Sequence, residues 1–189
     1  MLCEKGNPKG TRMSRIPRMI ARALRHEPEL LGLTLAPGGW APVDDLLRGL
    51  AVVGRRTTRE ELLAIVAADE KGRFTLSPDG RRIRAAQGHS VAVDLQLDPV
   101  APPALLLHGT ASRNLSGIFR DGLLPGRRQH VHLSETEEVA RRVGARHGSP
   151  VLLEVGAGAL HALGRPFFRA DNGVWLTGPV PVTHLRLIG

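Results

Sequence analysis

Three prolines crowd into the six residues Asp98-Pro99-Val100-Ala101-Pro102-Pro103, and this run constrains the fold more than any other feature. Proline fixes φ and removes a backbone donor, so the segment can neither continue a helix nor enter a central strand. It divides a 189-residue chain into two parts, each long enough for a small domain. The expected organisation is a flexible N-terminal tail over 1–13, a first lobe over 14–97 and a second over 98–189.

The first lobe reads as helical with a terminal hairpin. Ile16, Met19, Ile20, Ala23 and Leu24 recur at helical spacing, which predicts a helix capped by Ser14 and ending near Arg25, before Pro28. Gly38-Gly39 is a turn, and Trp40 to Val43 is short and extended. A helix then opens at Asp44 or Asp45 and runs to about Leu50. Thr58 with Glu61 forms a capping box for a third helix, reaching about Glu70. Phe74-Thr75-Leu76 and Arg82-Ile83-Arg84 flank a Ser77-Pro78-Asp79-Gly80 turn, the pattern of a hairpin. Three helices followed by a hairpin is the order of a winged helix.

Beyond the prolines the texture changes. Short apolar runs predict strands at Leu105–His108, Val131–Ser134, Val151–Val155 and Val174–Thr177. Helices are predicted from Ser112 to Arg120, stopped by Gly122, and from Glu135 to about Ala145. The fold class is therefore α+β, with a mixed sheet and few helices in the second lobe.

Charge and cysteine content narrow the functional classes. The formal net charge is +8, which favours polyanionic partners, nucleic acid first. Arginine-rich G·C-biased coding would produce the same excess. Cys3 is the one cysteine in the sequence, which excludes a disulfide framework and a cysteine metal site. Met1 to Ser14 is polar and lacks a signal-peptide core, so a reducing cytoplasm is the expected home. No apolar run approaches the ~20 residues of a membrane span. A monomer is the default oligomeric state.

Chemistry-bearing residues cluster in a few places. Arg84-Ala85-Ala86-Gln87-Gly88-His89-Ser90 holds a fixed cation, an amide, an imidazole and a hydroxyl, none of which fills a core well. Leu24-Arg25-His26-Glu27-Pro28 holds a second Arg/His cluster. Guanidinium forks bind phosphate in a bidentate way, and a nearby imidazole donates to it or moves a proton. Two such clusters suggest one phosphate site assembled from two places. Basic capping of a helix C-terminus would also explain Arg25-His26. Arg18 and Arg22, stepping along the first helix, read as an RNA-facing row or as a solvated basic face.

In the second lobe, His108-Gly109-Thr110 ends a strand just before a helix. Glycine there would let a ligand approach the backbone, although an ordinary strand-to-helix turn needs the same residue. Arg146-His147-Gly148 repeats the Arg-His pairing, or is a helix stopped by glycine. There is no Walker A motif, and Gly156-Ala157-Gly158 lacks the third glycine of a Rossmann turn, with His161 in its place. His130-Val131-His132 puts two imidazoles on one face of a strand, but no carboxylate completes a metal site. No metal is expected.

These stretches, in this order, resemble the RNA 2′-phosphotransferase (KptA) family, which includes the tRNA 2′-phosphotransferases. The matching segments are Leu24-Arg25-His26, Gly32-Leu33-Thr34-Leu35 with Gly39-Trp40, and Arg82-Ile83-Arg84 through Ser90. Further on they are His108-Gly109-Thr110, His130 to Ser134, Val143 to Gly148, and Asn172-Gly173-Val174-Trp175-Leu176-Thr177. The resemblance implies an N-terminal winged-helix RNA lobe and a C-terminal ADP-ribosyltransferase-like NAD lobe. It implies a two-step reaction on RNA bearing an internal 2′-phosphate, as at a tRNA splice junction, with NAD consumed as co-substrate. Arg25, His26, Arg84 and Arg146 match the family's catalytic set. His108, Gly109, Thr110, His132, Ser134 and Val174 match its NAD-binding positions, Val174 standing where many ADP-ribosyltransferases carry glutamate. Arg18, Arg22, Gln87, His89 and Ser90 are expected on the RNA side. Ala86 stands where the family usually has Asn, and Leu107 where an aromatic residue commonly precedes His-Gly-Thr. The competing expectations are an ADP-ribosyltransferase that caps terminal phosphates and a non-catalytic RNA-binding protein.

Overall fold

The computed structural model describes residues 15–188. The expected tail over 1–13, Cys3 within it and the predicted cap Ser14 lie outside the described residues. The chain divides into two compact units, Met1–Leu95 and Gln96–Gly189.

In the first unit, helix α1 spans Ile16–Arg25. Pro17 lies in its first turn, where its missing N–H costs nothing. Ile16, Ile20, Ala23 and Leu24 form its buried stripe. The N-cap position is Arg15, without a side-chain cap, and His26 closes the C-terminus with its N–H on the Arg22 carbonyl. A 3-10 turn over Pro28–Leu31 and another over Pro37–Gly39 lead into strand β1, Ala41–Pro42.

Helix α2 covers Val43–Val52. It opens after Pro42, one position earlier than the aspartates suggested. Asp44 and Asp45 instead fill its first turn, where the positive end of the helix dipole favours them. Helix α3 covers Arg59–Ala67 with the Thr58/Glu61 capping box in place, and ends at Ala67 rather than Glu70. Strands β2 (Phe74–Leu76) and β3 (Arg82–Ala85) form the hairpin. β3 is central, antiparallel to β1 on one side and β2 on the other. Ile20, Leu24, Leu46, Leu50, Leu62 and Ile83 are fully buried in one core.

The second unit begins with β4, Leu106–Ala111, and α4, Leu115–Asp121, ended by Gly122 at φ 84°. Then follow β5 (Val131–Leu133), α5 (Glu137–Gly144, capped by Thr136), β6 (Pro150–Val155) and α6 (Ala157–Ala162). The last strands are β7 (Phe167–Arg169), β8 (Trp175–Thr177) and β9 (Leu185–Ile188).

The expected mixed sheet is not what forms. Two three-stranded sheets, ordered β4-β6-β9 and β5-β8-β7, are antiparallel throughout. A two-way backbone bond between Leu107 and Ser134, both distances 2.8 Å, couples β4 to the end of β5. β7, β9 and α6 were not anticipated. Their sequences are short and lack a clean period, and only pairing with β8 and β6 makes the two strands regular. Leu106, Leu133, Val155, Leu160, Phe167 and Trp175 form the core of this unit.

Candidate active site

The first unit gathers the residues from 84 to 91 at the C-terminus of α1. The Arg25 carbonyl accepts from the N–H groups of Ser90 at 2.9 Å and Val91 at 3.4 Å. Gly88 makes this bend possible. Its φ of 92° suits glycine, and a Cβ there would sit 3.7 Å from the Arg25 side chain. The bend delivers the Ser90 hydroxyl to 2.9 Å from Nδ1 of His26. Both side chains are exposed and Arg25 is half-buried, so an arginine, a histidine and its hydroxyl partner share one surface.

Arg84 leaves the central strand of the hairpin. Its guanidinium donates through Nη1 to the carbonyls of Gly38 at 3.3 Å and Leu95 at 3.4 Å. His89 is 2 % exposed, with its ring against Gly39, where a Cβ would be 3.3 Å from Nε2. That burial gives His89 a place in holding the segment. The Gln87 side-chain oxygen is buried. Arg18 and Arg22 lie on α1, Arg18 exposed and Arg22 ion-paired with Glu27 at 2.7 Å.

In the second unit, His108, Gly109 and Thr110 lie along β4. Nδ1–H of His108 donates to the His132 carbonyl at 3.0 Å, the tautomer that an acceptor at this position requires. Burial, and then the Arg128 charge, push the His108 pKa below its ordinary value, against that hydrogen bond. Burial thus favours the neutral imidazole at His108. Thr110 is 6 % exposed, and its hydroxyl accepts from Asn114 Nδ2 at 3.0 Å.

Gly109 also meets a packing constraint that its motif did not show. A Cβ there would stand 1.6 Å from the Ala140 carbonyl oxygen of α5. The helix crossing the strand therefore requires glycine here. Gly144 mirrors it, since a Cβ there would lie 2.8 Å from the Thr110 carbonyl.

His132 is paired with Leu176 of β8, and Val174 stands directly before that strand. The Val174 carbonyl accepts from Ala170 N–H at 2.9 Å. His108, Gly109, Thr110, His132, Ser134 and Val174 are thereby brought onto or beside three connected strands, β4, β5 and β8. A cleft of about 470 Å³ opens beside β4 and α4, lined by His108, Thr110, Arg113, Asn114, Ile118 and Leu123 among others. That volume lies within the roughly 300–1,000 Å³ of small-molecule sites.

Arg113 and Asn114 were not singled out from sequence. The Thr110/Asn114 spacing of four was the available signal. Arg146 is exposed in a 3-10 turn over Ala145–His147 that follows α5. Partial desolvation and then the Arg146 charge hold Arg128 below the ordinary arginine value, so these two guanidinium groups sense each other. His130 packs edge-on against Phe168, ring centroids 5.9 Å apart. Among the described residues no group of three or more His, Cys, Asp or Glu is placed to hold a metal ion.

A family profile described as RNA 2′-phosphotransferase, Tpt1 / KptA family, matches residues 11–178. A protein of Agrobacterium fabrum (strain C58) named "Probable RNA 2′-phosphotransferase" is 54 % identical over 170 residues, 90 % of this chain and 91 % of that one. A protein of the same name from Herpetosiphon aurantiacus is 49 % identical over 176 residues, covering 93 % and 97 % of the two chains. Another from Nostoc punctiforme is 46 % identical over 178 residues, covering 94 % and 98 %.

Proposed function

The chain belongs to the RNA 2′-phosphotransferase, Tpt1 / KptA family, and on that premise we propose that it removes an internal 2′-phosphate from RNA in an NAD-consuming, two-step reaction. The observation that carries this reading is the span of the family match. It runs through both units, so the Arg/His/Ser cluster of the first and the cleft of the second belong to one enzyme. The helix-rich first unit with its hairpin is assigned as a winged-helix RNA lobe. The second unit, with its two antiparallel sheets, is assigned as an ADP-ribosyltransferase-like NAD lobe.

NAD supplies an activated ribose C1″ whose bond to nicotinamide is weak. In the first step, an oxygen of the RNA 2′-phosphate forms a bond to C1″ as that bond breaks, and nicotinamide leaves with the electron pair. In the second step, the ribose O2″ forms a bond to phosphorus while the bond from phosphorus to the RNA 2′-oxygen breaks. The proton lost by O2″ is balanced by the one the RNA 2′-oxygen gains. The products are RNA with a 2′-OH and ADP-ribose 1″,2″-cyclic phosphate.

The chain's own residues divide this work. In the first unit Arg25 and Arg84 are assigned as donors to phosphate oxygens, their fixed charge favouring the anionic phosphorane-like transition state of the second step; Arg146, in the second unit, is assigned to the same reaction by its match to the family's catalytic set. His26, oriented by Ser90, donates to the phosphate or carries the proton between the two oxygens. His108, Thr110 and Asn114 offer polar groups to the nucleotide, and Arg113 a cation beside its pyrophosphate. His132 acts through the carbonyl that fixes the His108 ring, and Ser134 through the backbone bonds that join β5 to β4. Val174 suits a nucleophile that is already anionic, because a carboxylate there would repel it.

The test is a short RNA with one internal 2′-phosphate, incubated with and without NAD. NAD-dependent loss of the phosphate with release of nicotinamide is the expected outcome. No loss under either condition would overturn the reading. Lasting accumulation of an ADP-ribosylated RNA would instead favour a transferase that stops after the first step.

A further inference from the structure

Arg84 is held in an unusual way. The register pairs Ala41 with Ile83 and Pro42 with Arg82, so Trp40, one residue before β1, comes level with Arg84 across the strands. Side chains alternate along β3. Ile83 and Ala85 are buried in the core, while Arg82 is exposed and Arg84 half-buried on the opposite face. The Trp40 ring lies on that second face. The Arg84 guanidinium carbon is 4.6 Å from its centroid and that of Arg82 is 5.4 Å away. Both are inside the ~6 Å range of a cation–π contact, for which Trp is the best partner.

Arg84 also makes polar contacts with backbone carbonyls. Its bonds to Gly38 and Leu95 carbonyls are 3.3 and 3.4 Å long, beyond the usual range of about 2.7–3.2 Å. Both run through Nη1. The ring supplies a flat surface that sets the tilt of the guanidinium. The backbone that carries the ring is fixed too. The Trp40 carbonyl accepts from Ala36 N–H at 2.8 Å, closing a small loop around Pro37–Gly39. Gly38 N–H is fixed in turn on the Asp94 carbonyl at 2.8 Å. Two guanidinium groups stacked on one ring also concentrate positive charge, an arrangement that an anion stabilises.

We propose that Trp40 is the positioning residue of Arg84: its indole ring holds the guanidinium plane in the orientation that meets the transferred phosphate, with Arg82 as a secondary cation on the same ring. This rests on the assignment of Arg84 to the phosphate made above. On this proposal the effect of Trp40 runs through Arg84.

The test compares Trp40→Leu, Trp40→Phe, Arg84→Ala and the double variant Trp40→Leu/Arg84→Ala on 2′-phosphorylated RNA with NAD. Adduct formation and adduct resolution are timed separately, and thermal unfolding is recorded for each protein. Trp40→Leu is expected to slow resolution about tenfold or more while formation changes little, with Trp40→Phe between it and the parent. The double variant is expected to be no slower than Arg84→Ala alone, because a positioning residue has nothing left to position. If Trp40→Leu unfolds, Trp40→Phe alone and on the Arg84→Ala background make the same comparison. Equal slowing of both steps by the Trp40 variants, or additive loss in the double variant, overturns the inference. A normal resolution rate in Arg84→Ala would instead show that the assignment of Arg84 was at fault.

Discussion

His26 and Ser90 are 64 residues apart in sequence and 2.9 Å apart at their side chains. An imidazole that moves a proton or donates to phosphate needs a fixed ring, and a second hydrogen bond is the usual means. Ser90→Ala removes that bond at an exposed position without leaving a buried group unsatisfied. A net hydrogen bond is worth about 0.5–1.5 kcal/mol, so activity should fall about tenfold at most. His26→Ala removes the acting group, and a much larger loss is predicted, on the order of 10²-fold or more. Steady-state rates on 2′-phosphorylated RNA check both. A Ser90→Ala enzyme as slow as His26→Ala would mean that Ser90 itself acts on the substrate. At this scale the sequence pointed to the Arg25-His26 and Arg84 to Ser90 clusters, because such residue types stand out locally, and the fold brings His26 and Ser90 together. The sequence did not show the Trp40–Arg84 stack or the burial of His89. Those contacts are set by cross-strand register and by the bend at Gly88, and neither is encoded within one short segment.

At the scale of elements, the packing of α5 on β4 organises the second unit. Gly109→Ala puts a methyl into the Ala140 carbonyl, 1.6 Å from its oxygen. Backbone on both sides leaves no flexible group to give way, so a loss of about 3 kcal/mol or more is predicted. A Cβ added to Gly117 of α4 would meet nothing within 4 Å, and Gly117→Ala should gain roughly 0.5–1 kcal/mol from helix propensity. Thermal unfolding of the two variants should move in opposite directions.

The same strand gives a pH dependence. His108 has a pKa lowered by burial from an ordinary 6.5. Its unfolded form therefore takes up a proton first as pH falls, and stability present above about pH 6.5 is lost below it. His130, also lowered by burial, contributes in the same direction. His108→Gln should flatten the fall in melting temperature between about pH 7 and 5 without abolishing it. An unchanged slope would mean that His108 does not titrate differently on folding. Helices α1 and α3 and the β2–β3 hairpin were legible because periodicity, a capping box and turn residues act within a few positions. β7 and β9 were not, since each is short and owes its regularity to a partner strand. The packing need at Gly109 was not legible, because its sequence context looks the same whether a ligand or a helix comes close.

For the molecule as a whole, charge and division into two units are the properties that matter. With a net charge of +8, RNA binding should weaken as salt rises, by about 0.7 in log K per log unit of salt for each single-strand phosphate contacted. Arg18→Ala should reduce both affinity and salt slope more than Arg22→Ala, because Arg22 already spends its charge on Glu27. Equal effects would remove Arg18 from the RNA face. The proline run announced a change of architecture, and the antiparallel arrangement of the second unit emerged only from its pairing. Under the proposed reaction, phosphate is transferred rather than hydrolysed. An RNA carrying a radiolabelled internal 2′-phosphate, incubated with the protein and NAD, tests it most directly. The label is predicted to pass through an RNA-bound ADP-ribose adduct and to finish on ADP-ribose. Label released as free inorganic phosphate, or lost equally fast without NAD, would contradict the account.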